Sequence, residues 1–558
     1  MERYLQEYEK WCQSTSLDAK TRAELLRIQG DEAQIKERFY CDLAFGTAGM
    51  RGLLGVGSNR MNRYTVRRAT LGYARYLLQR AGEQAKRRGV VIAHDNRHMS
   101  REFCMETAGV LAAEGIKAYI FDALRPTPEL SFAVRHLGAI GGVMITASHN
   151  PPAYNGYKLY DERGCQLMPR YTEPLTEIIR GIKDPLSIKA LTQNEAGALI
   201  ETLPLTVDEA YYAAVMDIRL REVDANAIKV VYSPQHGTGN RPVREVLARC
   251  GYQVIPVTEQ CEPDPDFSGT KSPNPENREA YELAMQYVAR ERADIAITTD
   301  PDCDRLGVIA GRDGQYALLT GNQSGAILLQ YILSTRKEQG TLPANAVMCN
   351  TVVTSLLGDR ICEAFGVAVQ KTLTGFKFIG DKIREFEQTG AKKYVFGYEE
   401  SYGCLIADFA RDKDGVQASL MLCEAAAYYK QQGKTLLDVL EDCYAAYGYF
   451  EDAITAVVHE GVEGAAKIAA MVEKLRVDPP AKAGQLRVAA VEDYLGDAMQ
   501  QKGFPPSNML RFVMEDGSFV AVRPSGTEPK CKYYYCVYGP SREQAAEKLC
   551  VMRETFEQ

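Results

Sequence analysis

Three carboxylates, Asp300, Asp302 and Asp304, stand at alternating positions of the segment Thr299-Asp300-Pro301-Asp302-Cys303-Asp304-Arg305. Oxygen-only donors at this density suit a hard cation such as Mg²⁺. Without a counter-ion, three such charges packed after a buried strand would repel one another. A calcium-binding EF-hand loop also opens Asp-x-Asp-x-Asp, but it needs Gly at its sixth position and Glu at its twelfth. Here those positions hold Arg305 and Gly311. Arg305, next to the acidic loop, could clamp a phosphoryl group beside the cation.

A nucleophile is offered far upstream. The apolar run Gly141-Gly142-Val143-Met144-Ile145 ends in Thr146-Ala147-Ser148-His149-Asn150-Pro151-Pro152. The run predicts a short buried strand, and the Pro-Pro pair stops any helix from continuing it. Ser148 is thereby presented on a tight loop at a strand end, a usual place for chemistry in α/β proteins. A serine hydrolase pairing Ser148 with His149 is rejected. Neighbours in an extended strand point to opposite faces, and no Gly-x-Ser-x-Gly turn is present. Lys158 lies ten residues past Ser148, close enough in sequence to return to the same site.

Two further loops can hold an anion. Arg523-Pro524-Ser525-Gly526-Thr527-Glu528-Pro529-Lys530 lies between two predicted strands. It brings a guanidinium, two hydroxyls, a tight turn with free N–H groups and an ammonium to one place, enough to hold a phosphate without metal. Phe45-Gly46-Thr47-Ala48-Gly49-Met50-Arg51-Gly52 is a Gly-rich loop carrying one arginine. Glu399 and Ser401 could accept and donate to sugar hydroxyls; on residue types alone, that reading and a plain turn balance. Serine, metal loop and metal-free phosphate loop together specify phosphoryl transfer. No Gly-x-x-x-x-Gly-Lys-[Ser/Thr] nucleotide loop appears, which argues against a kinase.

The elements that must position these groups follow from periodicity. Strands are predicted at 90–93, 118–121 and 141–145, then at 228–232, 253–257 and 294–297, then at 346–349 and 393–396. Helices at 101–114, 241–250, 277–292, 356–365 and 377–388 intervene, and a long helical stretch, 416–446, closes the third unit. The alternation predicts three similar α/β/α domains with mixed, largely parallel sheets. After residue 448 the texture becomes that of a smaller α+β domain with an antiparallel sheet. The expected boundaries are 1–200 (with a helical cap anchored by Trp11), 201–315, 316–448 and 449–558, arranged around one central cleft.

Bulk composition sets limits. A chain of 558 residues needs several cores, and 46% hydrophobic with 25% charged residues is ordinary for a globular protein. A net charge of −7 argues against nucleic-acid or anionic-membrane binding. With no apolar run of spanning length and no signal-peptide core at the start, a cytoplasmic location is expected. The 15 cysteines form no Cys-x-x-Cys pair and read as buried small hydrophobes in a reducing compartment. Cys303 would be oxidation-sensitive if it were exposed.

In this order the motifs resemble the α-D-phosphohexomutase superfamily over nearly the whole chain. The elements that carry the match are 45–52, 146–152, 300–305, 397–401 and 523–527. His236-Gly237-Thr238-Gly239, Pro273-Asn274-Pro275-Glu276, Thr374-Gly375-Phe376-Lys377 and Arg411-Asp412-Lys413-Asp414-Gly415 are similar to the long branch with phosphoglucomutases and phosphopentomutases. The resemblance implies that Ser148 carries a phosphate and that its phosphate oxygen holds Mg²⁺ with Asp300, Asp302 and Asp304. It implies that Arg51, His149 and Lys158 surround the reacting group, with Lys158 a candidate for proton transfer. Arg305, Thr374, Gly375, Glu399, Ser401, Lys413, Arg523, Ser525, Gly526, Thr527 and Lys530 would contact the substrate. That substrate is expected to be a small sugar phosphate, with glucose 1,6-bisphosphate as activator and intermediate, acting on a monomer or weak homodimer. Glucose 1-phosphate comes first, ahead of mannose and pentose phosphates; a bisphosphate synthase and a phosphosugar-binding protein without turnover are the rivals. Two departures from the family pattern stand out: Pro301 and Cys303 where many relatives have Gly, and Gly397-Tyr398-Glu399-Glu400-Ser401 in place of a simpler Gly-Glu-x-Ser-Gly.

Overall fold

The computed structural model describes residues 2–46, 49–459, 464–525 and 530–557. The chain divides into two compact units. One comprises Met1–Leu318, Gly380–Gln388 and Gly403–Gln431; the other comprises Leu319–Ile379, Thr389–Tyr402 and Gln432–Gln558.

In the first unit, strand Val90–His94 pairs in parallel with Ala118–Ile120 on one side and Gly141–Ile145 on the other. Every residue of Val90–His94 and Gly141–Ile145 is buried, as sheet covered on both faces requires. Their register, Val90 opposite Gly141 and His94 opposite Ile145, makes both strands end together, so the 95–98 and 146–150 loops share one edge. Tyr154–Asp161 then returns antiparallel to Gly141–Ile145, with Lys158 opposite Met144. That hairpin was not predicted, and it is what brings Lys158 back toward Ser148. Met50–Leu53 adds an antiparallel edge strand.

A five-stranded sheet follows, in which Val230–Ser233 lies between Val254–Pro256 and Ile295–Thr299, all parallel. Leu306–Arg312 doubles back antiparallel, Leu306 opposite Thr299, so residues 300–305 form a tight connection at the end of a wholly buried strand. At the N-terminus, helices Arg3–Gln13, Ala19–Arg27 and Glu32–Phe39 form the expected cap. Trp11 anchors it, 2% exposed and edge-on to Phe39 and Tyr64.

In the second unit, Ala346–Thr351 pairs in parallel with Ala368–Thr372 and Lys393–Tyr398. A separate antiparallel sheet orders Tyr449–Val458, Lys530–Gly539, Phe519–Pro524, Leu510–Met514, Leu486–Asp493 and Lys482–Ala483. Helices Gly464–Val477 and Arg542–Phe556 pack on it through Ile468, Val472, Met552 and Phe556. The helical stretch expected as one piece after Asp414 is two helices, Gly415–Gln431 of the first unit and Leu436–Tyr447 of the second. Gly433 takes a left-handed turn (φ +75°) between them, and Thr435 with Asp438 starts the second helix as a reciprocal cap. The architecture is thus that of four α/β domains: mixed sheets in three and a smaller antiparallel C-terminal one. Among the described residues, no helix is long and apolar enough to cross a membrane.

The loop after Val230–Ser233 is built to support the acidic segment. Gln235 and His236 both adopt left-handed backbone, φ +50° and +61°. His236 is fixed by Gly269, whose N–H donates to Nε2 at 3.0 Å, and by Nδ1 at 2.8 Å from the Glu262 carbonyl. Thr238 then donates to the Pro301 carbonyl from its backbone N–H (2.8 Å) and from its hydroxyl (2.9 Å). A Cβ on Gly237 would lie 2.4 Å from Pro301 Cα and 2.6 Å from its oxygen, so only glycine allows this approach. Gly237→Ala is therefore expected to displace the acidic loop and weaken divalent-cation binding about 10- to 100-fold. Calorimetric titration of the variant with Mg²⁺ checks this; wild-type affinity would contradict it.

Candidate active site

The acidic loop is held from within. Asp300 Oδ1 accepts from the backbone N–H groups of Asp304 and Arg305 at 3.1 and 3.0 Å. Cys303 donates its N–H to the Asp300 carbonyl at 2.9 Å from a left-handed backbone, φ +54°. The three aspartates are 0, 0 and 3% exposed, and one oxygen of each lies within 4.8 Å of the others. Cys303 is wholly buried, and burial followed by the charges of Asp414 and Asp300 pushes its thiol well above the ordinary range. The condition for oxidation sensitivity fails: the thiolate is neither exposed nor populated.

Two lysines converge on the carboxylates. Lys158 Nζ is 2.8 Å from Asp302 Oδ2, and Lys413 Nζ is 2.9 Å from Asp304 Oδ2. Lys413, expected against substrate, is thus placed on an acidic-loop oxygen. Thr127, missed in the sequence, binds Asp302 twice: its N–H donates to the carbonyl and its hydroxyl to Oδ2, both at 3.0 Å. Nothing but a lone Thr-Pro helix start marked it. Asp302 Oδ1 and Asp304 Oδ1 are buried with no hydrogen-bond partner among the described residues.

The electrostatics separate the three acids. Burial, then the charges of Asp302 and Asp304, raises Asp300 well above the ordinary carboxylate range. Burial works to raise Asp302 as well, but the Lys158 ammonium, through charge and hydrogen bond, takes it below that range. A buried, all-oxygen cluster with two oxygens lacking hydrogen bonds, and with Asp300 and Asp304 both pushed toward their neutral forms, fits a hard divalent cation.

Ser148 stands beside this cluster, 5% exposed. Its backbone is left-handed, φ +52°, where a non-glycine residue is strained by about 1–3 kcal/mol. Its N–H donates to Thr146 Oγ1 at 2.8 Å, and its hydroxyl donates to Asp300 Oδ2 at 2.7 Å. The left-handed turn also overturns one sequence argument: Ser148 is not extended, and His149 Nδ1 lies 3.1 Å from its Oγ. Burial, Arg305 and Arg51 together depress the His149 imidazole well below its usual value, so the ring is neutral. The hydrolase reading still fails, since the hydroxyl is turned to a carboxylate. Arg51 Nη1 donates to Asn150 Oδ1 at 2.8 Å, and Arg305 is ion-paired to Glu276 at 2.5 Å.

A second constellation belongs to the other unit. Glu399 Oε1 accepts from the Gly375 N–H at 2.7 Å, and Arg523 Nη1 donates to Thr374 Oγ1 at 2.8 Å. Glu400 is committed elsewhere, accepting from Thr351 and Thr354 hydroxyls, so Glu399 is the carboxylate of that pair that faces Gly375. Ser401 is half-buried beside them. The Ser525 N–H donates to the Lys530 carbonyl at 2.7 Å. Gly526 and Thr527, like Thr47 and Ala48 of the Gly-rich loop, lie outside the described residues.

Four family models match along the chain: phosphoglucomutase/phosphomannomutase α/β/α domains I, II and III at residues 42–185, 209–314 and 320–447, and the C-terminal domain at 473–549. The phosphoglucomutase of Staphylococcus aureus strain USA300 is 38% identical over 535 residues, covering 94% of this chain and 95% of that one. That of Staphylococcus haemolyticus is 38% identical over 527 residues, covering 92% and 94%. Among solved structures, a putative phosphomannomutase from Thermus thermophilus superposes with a TM-score of 0.69 at 26% identity, covering 93% of this chain and all of that one. The Paramecium phosphoglucomutase parafusin, at 19% identity and a TM-score of 0.72 over 92% and 94% of the two chains, shares the fold. With four domain models in order and such identity over nearly its full length, the chain belongs to the phosphoglucomutase/phosphomannomutase family of α-D-phosphohexomutases, the phosphotransferase isomerases.

Proposed function

We propose that this enzyme is an α-phosphoglucomutase, interconverting glucose 1-phosphate and glucose 6-phosphate through a phosphate carried on Ser148 and a glucose 1,6-bisphosphate intermediate. One observation carries the reading: Ser148, held in a strained turn, directs its hydroxyl at 2.7 Å to a buried cluster of three aspartates. A serine so placed can give and take a phosphoryl group only where strong positive charge offsets the phosphate.

Asp300, Asp302 and Asp304 would hold Mg²⁺ together with a phosphate oxygen on Ser148. When bound, the cation neutralises phosphate charge and polarises the phosphorus. The remaining work falls to side chains. Phosphate on Ser148 bears close to two negative charges, and Arg51, Arg305 and Lys158 supply charge for its equatorial oxygens during in-line transfer. In the transfer, the free hydroxyl of the sugar phosphate attacks phosphorus and the bond to Ser148 Oγ breaks. The proton lost by the sugar hydroxyl ends on Ser148 Oγ, with Lys158 as the candidate carrier and Asp300 Oδ2 as the acceptor that orients the restored hydroxyl. Glu399 and Ser401 would read sugar hydroxyls. Arg523, Ser525 and Lys530, with Gly526 and Thr527, would hold the phosphate that is not reacting, whichever end it is on. Such chemistry belongs with soluble sugar phosphates in the cytoplasm.

The test is turnover of glucose, mannose and ribose 1-phosphates side by side, with Mg²⁺ and a trace of glucose 1,6-bisphosphate. Dominant glucose 1-phosphate activity, abolished in Ser148→Ala, is expected. Dominant mannose or pentose activity would reassign the substrate, and no turnover with retained bisphosphate formation would make the protein a synthase. Arg523→Ala should raise KM for the sugar phosphate about 10- to 100-fold, the loss of a charge-assisted hydrogen bond or two. A steady-state KM equal to the wild type would remove Arg523 from phosphate binding.

A further inference from the structure

The serine loop cannot fasten itself. Pro151 and Pro152 have no N–H groups, and within 147–154, all of them described residues, the backbone makes only two turn bonds, Asn150 to Ala147 and Tyr154 to Pro151. Those bonds leave the carbonyls of Ser148 and Asn150 without a donor from the loop itself. One side chain from outside the loop answers them. Arg97 Nη2 donates to the Ser148 carbonyl at 2.6 Å and to that of Asn150. Its Nη1 donates to the carbonyls of Pro151 and Tyr154 at 2.9 and 3.0 Å.

The guanidinium is itself built in. The Arg97 side chain is 0% exposed, as is that of Asp95, whose Oδ2 lies 3.4 Å from Arg97 Nε. Asp95 is fixed in turn by the Ser100 hydroxyl at 2.7 Å and the Arg97 N–H at 2.9 Å. The Phe267 ring covers the guanidinium with its centroid 5.0 Å away. A buried charge so enclosed is a costly way to stabilise a loop, and only a planar fork can reach four carbonyls at once.

The geometry points to Arg97 as the positioning residue of the phosphoryl-carrying serine: it holds Ser148 in its left-handed turn and so keeps Oγ on Asp300. The Arg97 guanidinium donates to loop carbonyls and not to the Ser148 hydroxyl. It acts on the backbone that aims that oxygen, and the inference rests on the role proposed above for Ser148. Without the fork, Ser148 relaxes toward ordinary backbone, and its Oγ swings off the line that phosphoryl transfer needs.

The experiment uses Arg97→Lys, which keeps the charge and loses the fork, and Asp95→Asn, which keeps the fork and loosens its anchor. In Arg97→Lys, kcat is expected to fall about 100-fold, the cost of a small misplacement of a reacting group, with KM for the sugar phosphate little changed. Asp95→Asn should lose less. A crystal structure of Arg97→Lys should show Ser148 out of the left-handed region. Wild-type kcat, a defect confined to KM, or Ser148 still turned to Asp300 in that crystal would overturn the inference. Failure of both variants to fold would overturn it too, by making the role one of folding. The crystallographic arm stands even if the wild type turns over no sugar phosphate, an outcome that would count against the proposed activity alone.

Discussion

Three carboxylates in five residues, all buried, form the constraint that organises this molecule. Like charges at such distances in a low-dielectric interior repel strongly, and the chain answers with Lys158, Lys413 and Thr127, brought from well-separated parts of the sequence. Two oxygens still lack hydrogen-bond partners among the described residues, and Asp300 is pushed toward its neutral form. The remaining deficit of positive charge is what a divalent cation and a basic phosphate pocket would balance. The same deficit makes the cluster itself cation-seeking, so phosphate would be drawn only once a cation and the neighbouring basic groups offset it.

Strain gathers around that cluster. Ser148, Cys303, Gln235 and His236 all adopt left-handed backbone without being glycine, and each lies in a loop at the C-terminal end of a buried parallel strand. Strain of this kind persists only where surroundings over-determine it. Here the surroundings are specific: Thr146 on the Ser148 N–H, Asp300 on its own loop, Gly269 and the Glu262 carbonyl on His236, and Thr238 on Pro301. The rigid sheets set where the loops begin, and these polar contacts set how they turn.

Much of this was legible in the sequence because the signals were local. Buried strands such as 90–94 and 141–145 are continuous apolar runs, and the acidic triad is spaced to be read directly. Domain pattern, acidic cluster and family membership follow from those signals. What escaped was non-local or conformational. The return strand Tyr154–Asp161 carries Asn, Gly and Lys at buried positions, so its polarity hid it. The left-handed turn at Ser148 defeated an argument that assumed extended backbone, and it joined His149 to the serine. Thr127 and Arg97 do their work through hydrogen bonds to distant segments, for which spacing along the chain gives no sign. The split of the 416–446 stretch at Gly433 was visible in principle, since Gly-Lys-Thr before Leu436 is a stop followed by a start.

The central claim is that Ser148 itself carries the phosphoryl group. The most direct measurement is peptide mapping by mass spectrometry of the full chain after incubation with glucose 1,6-bisphosphate and Mg²⁺. The account predicts a single phosphate, located on Ser148 and removed again by excess glucose 1-phosphate or glucose 6-phosphate. Phosphate on another residue, or none at all, would contradict it.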